Sequence, residues 1–147
     1  MFERYTESAR WTIFQARSAA LPDSKYIEAQ HLLLGLIRAD AALFARVLGS
    51  EISVAELEKE AVGTSPLHPV EAGTNVNPNV ELSNECKRVI LLGMQEADDL
   101  HDAHIGTEHL LLALLRHHQN LAAQMLARHG VELESVRRMV RSDASKS

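Results

Sequence analysis

The chain carries one cysteine, Cys86, in 147 residues, so no internal disulfide can form. The opening MFERYTESAR holds no apolar leader, and together these features point to a reducing, cytoplasmic setting. Aromatic residues are scarce, at 4%. A β-sandwich leans on aromatic and β-branched side chains, so a core of Leu, Ala, Val and Ile between helices suits this composition better. No apolar run approaches the ~20 residues that a membrane span needs. Bases are in the minority, 15 Lys and Arg against 20 Asp and Glu, for a formal charge of -5. That balance argues against a nucleic-acid partner, whose phosphates call for clustered Lys and Arg. Also missing are a G-x-x-x-x-G-K-[ST] phosphate loop, a G-x-S-x-G elbow and an H-E-x-x-H pair. These absences remove the common NTPase, serine-hydrolase and zinc-protease readings.

What the chain does have is a duplication. YIEAQHLLLGLIR (26–38) returns as HIGTEHLLLALLR (104–116), with His31 on His109 and Arg38 on Arg116. The register continues through Leu43 on Leu121 and Leu48 on Leu126. Shifted by one residue, Ile52 falls on Val131 and Leu57 on Val136. Upstream, Thr6 falls on Ser83, Ala9 on Cys86, Arg10 on Lys87 and Ile13 on Ile90. The register slips only where loops are expected, so nearly the whole chain is two copies of one unit.

Helical spacing dominates each copy. Ala9, Ile13, Ala16 and Ala20 recur three or four residues apart, as do Cys86, Ile90, Gly93 and Ala97. Thr6 and Ser83 are placed to cap these helices, and Pro22 to close the first. Further helices are expected at about 28–39, 41–48 and from Ser53 in the first copy. The second copy repeats them at about 107–117, with Thr107 as N-cap, at 119–129, and from Glu132. His129-Gly130 reads as a helix stop. No convincing strand is visible. Residues 63–79 hold three prolines and two glycines and read as a linker, and 142–147 as a polar tail. The expected architecture is therefore all-α. Repeat one (about 1–62) and repeat two (about 80–141) are four-helix units related by a pseudo-twofold and stacked through their LLL helices in a single domain. A unit of about 60 residues would be marginal alone.

Chemistry-bearing clusters are few. Eight histidines invite a metal-binding reading. However, His31 and His109 hold equivalent positions at the start of apolar helices, which favours a structural job such as bonding a loop carbonyl. Cys86 lies on an apolar helix face and reads as packing. Asp98-Asp99 and Glu58/Glu60 read as solvated carboxylates. The helix starts are more informative. Phe2, Arg4, Thr6 and Arg10 gather at the first, and Leu82, Ser83 and Lys87 at its copy. A hydroxyl and a cation beside a helix N-terminus suit an anion, and Glu108 nearby suits a cationic group. On chemistry alone, ordinary caps and surface charges account for them.

The segments MFERYTESAR, GTEHLLLALLR, its weaker copy EAQHLLLGLIR, and VELESVRRMV resemble the N-terminal Clp repeat domain of Clp unfoldases, the ClpC type most. The resemblance runs over about residues 1–141. It implies an all-α fold of two pseudo-symmetric four-helix repeats, with no catalysis, cofactor or metal. In such relatives the domain receives substrate and adaptor proteins for an unfoldase that feeds the ClpP peptidase. ClpC-type relatives also bind phosphoarginine at two symmetric sites, and actinobacterial ones bind cyclic-peptide antibiotics near the N-terminal segment. Carried over, Glu108 would hold a guanidinium, while the first copy presents the neutral Gln30, which cannot make a charge-assisted pair. Arg4 and Thr6 match positions near the phosphate of the first site, and Ser83 and Lys87 those of the second. Asn84-Glu85 replaces a usual Pro-Arg and brings a carboxylate close. The chain ends at Ser147 with no ATPase module. A free-standing domain is therefore expected, one that delivers substrates, acts as a decoy or sequesters a ligand.

Overall fold

The computed structural model describes residues 3–20, 26–64 and 80–145, with eight helices among them. In chain order they are α1 (Glu7–Ala20), α2 (Ala29–Ala39), α3 (Ala41–Leu48), α4 (Glu51–Thr64), α5 (Asn84–Asp99), α6 (Thr107–Arg116), α7 (Leu121–Arg128) and α8 (Leu133–Ser145). α4 runs on to Thr64 and α8 to Ser145, past the expected start of the linker and of the tail. Pro22, the remaining linker residues and Phe2 lie outside the described residues.

The LLL helices form the centre. From Ala29 to Ile37 every residue of α2 except Gln30 is buried, and α6 is buried from Thr107 to Leu115 except at Glu108. A helix buried nearly all round belongs in the middle of a domain. α2 packs on α1 and α4 of its own repeat and on α5, α6 and α7 of the other. The repeats therefore share one core, with Phe44, Leu57, Leu32–Leu34 and Leu110–Leu112 fully enclosed.

Within each repeat the first two helices meet at a glycine–alanine contact. A Cβ on Gly35 would fall 2.4 Å from the Thr12 carbonyl oxygen and 3.3 Å from Ala16 Cβ. In the second repeat the order is reversed, with Gly93 on α5 facing Ala113 on α6. At the first crossing a side chain must be absent for the helices to approach so closely, whereas at the second the nearest atom to such a Cβ would be the Leu110 Cδ2 methyl at 3.2 Å.

Two features differ from the sequence expectation. Short parallel pairings exist where no strand was expected: β1 (Tyr26–Ile27) pairs with β2 (Glu81–Leu82), and Tyr5 bridges Ile105. These runs are two residues or fewer, too short for a period-2 pattern to register. Secondly, carboxylates expected to be solvated tie elements together. Asp98 pairs with Arg4 at 2.8 Å, Glu58 with Arg38 at 3.5 Å, and Glu60 with both Arg128 and His129 across the repeats. Hydrogen bonds from Arg128 and His129 hold the Glu60 carboxyl below its ordinary range.

Candidate binding site

The extended segments that precede the helices place the site. Ile105 N–H donates to the Arg4 carbonyl at 2.9 Å, and Thr6 N–H to the Ile105 carbonyl at 3.0 Å. The start of α1 is thus laid along the entry to α6. The pseudo-symmetric bond, Ser83 N–H to the Ile27 carbonyl at 3.0 Å, lays the start of α5 along the entry to α2. Each helix start is therefore held by the opposite repeat. Thr6 and Ser83 both cap, accepting from Ala9 N–H at 3.1 Å and Cys86 N–H at 3.0 Å.

Thr6 and Glu108 consequently share one cavity of about 480 Å³, although they come from different repeats. Asp40, Arg46, Asp102, His104 and His109 also line it. Asp40, Asp102 and Glu108 give the wall three carboxylates against one guanidinium. Asp40, Arg46 and Asp102 were not singled out from the sequence, and His104 only as one of the histidines of the metal-binding reading. Asp40, Asp102 and His104 sit in interhelix connections and Arg46 in the last turn of α3, and only Asp40, between two helical patterns, carried a visible capping signal.

The hydrogen bonds fix the protonation pattern. His109 Nδ1 accepts from Gly106 N–H at 2.9 Å, so it carries no proton. The ring proton is then on Nε2, 2.8 Å from Asp102 Oδ2, to which it donates. The neutral ring makes no ion pair with Glu108, whose Oε1 lies 3.5 Å from the same Nδ1. His31 repeats the device, accepting from Glu28 N–H at 2.9 Å, and burial lowers its pKa to about 4. The paired histidines are structural, as expected, but they bond backbone N–H groups at helix starts rather than a loop carbonyl.

Thr107 is not the N-cap expected. Gly106 holds that position, and the Thr107 hydroxyl donates to Asp40 Oδ2 at 2.8 Å, tying α6 to the turn after α2. Asp40 Oδ1 in turn accepts from Leu43 N–H at 3.1 Å and caps α3.

The other sequence-derived candidates lie apart from this cavity. Arg4 is committed to the α5–α6 connection, donating to Asp98, to the Asp102 carbonyl at 3.2 Å and to the Ala103 carbonyl at 3.1 Å. Arg10 points to a different groove, beside Trp11 and Phe14. Gln30 is half-buried in the first turn of α2, Leu82 half-buried in β2, and Lys87 exposed on α5. Cys86 is fully buried, and burial together with Glu28 and Glu85 pushes its thiol up to about 12, which silences it as a nucleophile. Among the described residues no group of three His, Cys, Asp or Glu side chains is placed to hold a metal ion, and no helix is long and apolar enough to cross a membrane.

The family model described as the Clp repeat (R) N-terminal domain matches residues 4–129 and, in an overlapping placement, residues 93–146. The chain belongs to this Clp repeat family. It is 35% identical over 146 residues to the negative regulator of genetic competence ClpC/MecB of Bacillus subtilis, and 32% identical over 145 residues to the Clp protease ATP-binding subunit ClpC of Staphylococcus aureus. Each comparison covers 95% of this chain but only 17% of the relative. Among solved structures, the N-terminal domain of ClpD from Arabidopsis thaliana superposes over the whole of both chains with a TM-score of 0.72 at 22% identity. The Hsp104 N-terminal domain from Candida albicans superposes over 92% of this chain and 88% of that one, with a TM-score of 0.71 at 16% identity. These likenesses extend the Clp N-domain fold to this chain. Two four-helix repeats with swapped helix starts are how this Clp repeat domain brings Thr6 to Glu108.

Proposed function

We propose that the chain is a non-catalytic receptor module of the Clp chaperone–protease system, which holds side chains of substrate or adaptor proteins for Clp-type unfoldase and protease components. The observation that carries this is the cavity shared by Thr6 and Glu108. A carboxylate, two further acids and a capping hydroxyl converge on a space large enough for an arginine side chain. Glu108 would take the guanidinium in a charge-assisted pair. The Thr6 hydroxyl accepts from Ala9 N–H but keeps its own proton to donate, toward a phosphoryl oxygen for instance. Phosphoarginine is accordingly the ligand of first choice for this site. The Gln30 copy lacks the charge, so one site per chain is proposed rather than two.

Calorimetric titration with phosphoarginine tests this, with free arginine and phosphoserine as controls and Glu108→Ala as the second sample. Saturable binding near one equivalent, lost in Glu108→Ala, supports the receptor reading. Absence of binding would sink phosphoarginine as the ligand. Tighter binding of free arginine would reassign the cavity to unmodified cationic side chains, consistent with Asp40 and Asp102 in its wall.

A further inference from the structure

Three of the five aromatic side chains among the described residues are exposed: Trp11, Phe14 and Tyr26. Two of them are partners. Trp11 and Phe14 stand one turn apart on α1 and stack with ring centroids 5.0 Å apart and planes inclined by 15°. They contribute nothing to the core, which α1 meets through Ala9, Thr12, Ile13 and Ala16 on its other face. Trp11 is 49% exposed and Phe14 54%. In a chain so poor in aromatics, a stacked pair left in water marks an interaction surface.

The pair borders a groove of about 490 Å³ walled by Glu7, Ser8, Arg10 and, from the end of α2, Ala39. Arg10 and Arg17 are seven residues apart, so they lie on one flank of the aromatic pair two helical turns, or about 10 Å, from each other. Both are exposed. Glu7, which also walls the groove, is the one acid of α1, so Arg10 and Arg17 leave this helix with one positive charge in excess on a chain of net charge -5. The second repeat keeps the pattern only in part, with Lys87 for Arg10 and Leu91 for Phe14, both exposed, but Arg88 for Trp11 and Met94 for Arg17.

We infer that the α1 face of Trp11 and Phe14 docks an acidic segment of a partner protein. An apolar side chain of that segment lies on the aromatic pair, and its carboxylates meet Arg10 and Arg17. Stacked aromatics supply a rigid apolar shelf at low entropic cost, and arginines beside them bind carboxylates in charge-assisted pairs. The local charge selects the sign of the partner: a basic segment would gain the apolar contact but face two guanidinium groups. This surface is separate from the Glu108 cavity, so the two can be tested independently.

Trp11 is the only tryptophan, so its emission reports on this surface alone. The probe is a synthetic helical peptide with Leu on one face and Glu residues two turns apart beside it. Its control carries Lys in place of Glu. A saturable blue shift is expected with the Glu peptide, with the Lys peptide about tenfold weaker or more. Phe14→Ala should weaken binding about tenfold. The exposed double change Arg10→Glu with Arg17→Glu should reverse the preference between the peptides. Leu91→Ala and Glu108→Ala should leave the titration unchanged. Equal response to both peptides, or no saturable shift at millimolar peptide, would overturn the inference. A shift driven by protein concentration alone, with a matching rise in sedimenting mass, would also overturn it and assign the face to a second copy of the chain.

Discussion

A Cβ on Gly106 would stand 2.6 Å from both carboxylate oxygens of Glu108. The Glu108 head group therefore folds back over the residue that caps its own helix, into space that only glycine leaves open. The first repeat has Glu28 where the second has Gly106, and Gln30 where the second has Glu108. With a side chain at position 28, residue 30 cannot adopt the Glu108 placement. The glycine and the charge thus go together in the second repeat, and neither is present at the matching positions of the first.

Gly106→Ala should consequently disable the site while sparing the fold. Gly106 has φ -104° and ψ -179°, extended backbone that alanine also adopts. The atoms in the way are the end of a flexible side chain. Thermal unfolding should show a change within about 1 kcal/mol. Calorimetry should show phosphoarginine affinity reduced about tenfold, approaching the effect of Glu108→Ala. A variant that binds as well as the parent would mean that the Glu108 placement does not matter to the ligand.

The two helix crossings should respond differently to a single methyl group. Gly35→Ala drives a Cβ to 2.4 Å from a backbone oxygen, which cannot move without shifting α1. Overpacking of this kind costs about 1–3 kcal/mol and outweighs the ~1 kcal/mol that alanine gains over glycine in a helix. Gly93→Ala meets only the Leu110 Cδ2 methyl at 3.2 Å, which can turn aside. Urea denaturation should find Gly35→Ala clearly destabilised and Gly93→Ala within about 1 kcal/mol of the parent.

Acid should weaken the fold through His31. Its ring is 4% exposed and accepts a backbone hydrogen bond at Nδ1, and its pKa falls from 6.5 to about 4. The unfolded chain takes up the proton near pH 6.5, whereas the folded chain resists until about pH 4. This contribution is thus complete above pH 6.5 and drains away as the pH falls toward 4. At 1.36 kcal/mol per pKa unit the loss amounts to about 3 kcal/mol. His31→Gln keeps an acceptor but no titrating ring. The stability difference between parent and variant, followed by urea denaturation from pH 7 to pH 4, should shift in favour of the variant by about that amount. A pH-independent difference would exclude His31 as the acid-sensitive group.

Much of the fold was legible in the sequence because apolar periodicity records it. The span expected for α3, 41–48, is the one observed, and Thr6 and Ser83 cap as their hydroxyls suggested. Thr107 was misread because a threonine before an apolar run looks like a cap. Only the tertiary contact with Asp40 shows that its hydroxyl is engaged elsewhere. Glu60 looked solvated because its partners, Arg128 and His129, are far along the chain.

By itself the sequence determined that the protein is a duplicated, helical, Leu-centred domain with no strong catalytic or metal motif, and that only its second copy keeps an acid in the G-T-E-H segment. Local chemistry and periodicity suffice for that, since each helix writes its buried face every three or four residues. The tertiary structure alone decided which residues share a cavity. Backbone hydrogen bonds from Ile105 to Arg4, from Thr6 to Ile105 and from Ser83 to Ile27 hold each helix start against the opposite repeat. A few bonds between single residues so far apart leave no periodic trace, yet they set Thr6 beside Glu108 and commit Arg4 to Asp98.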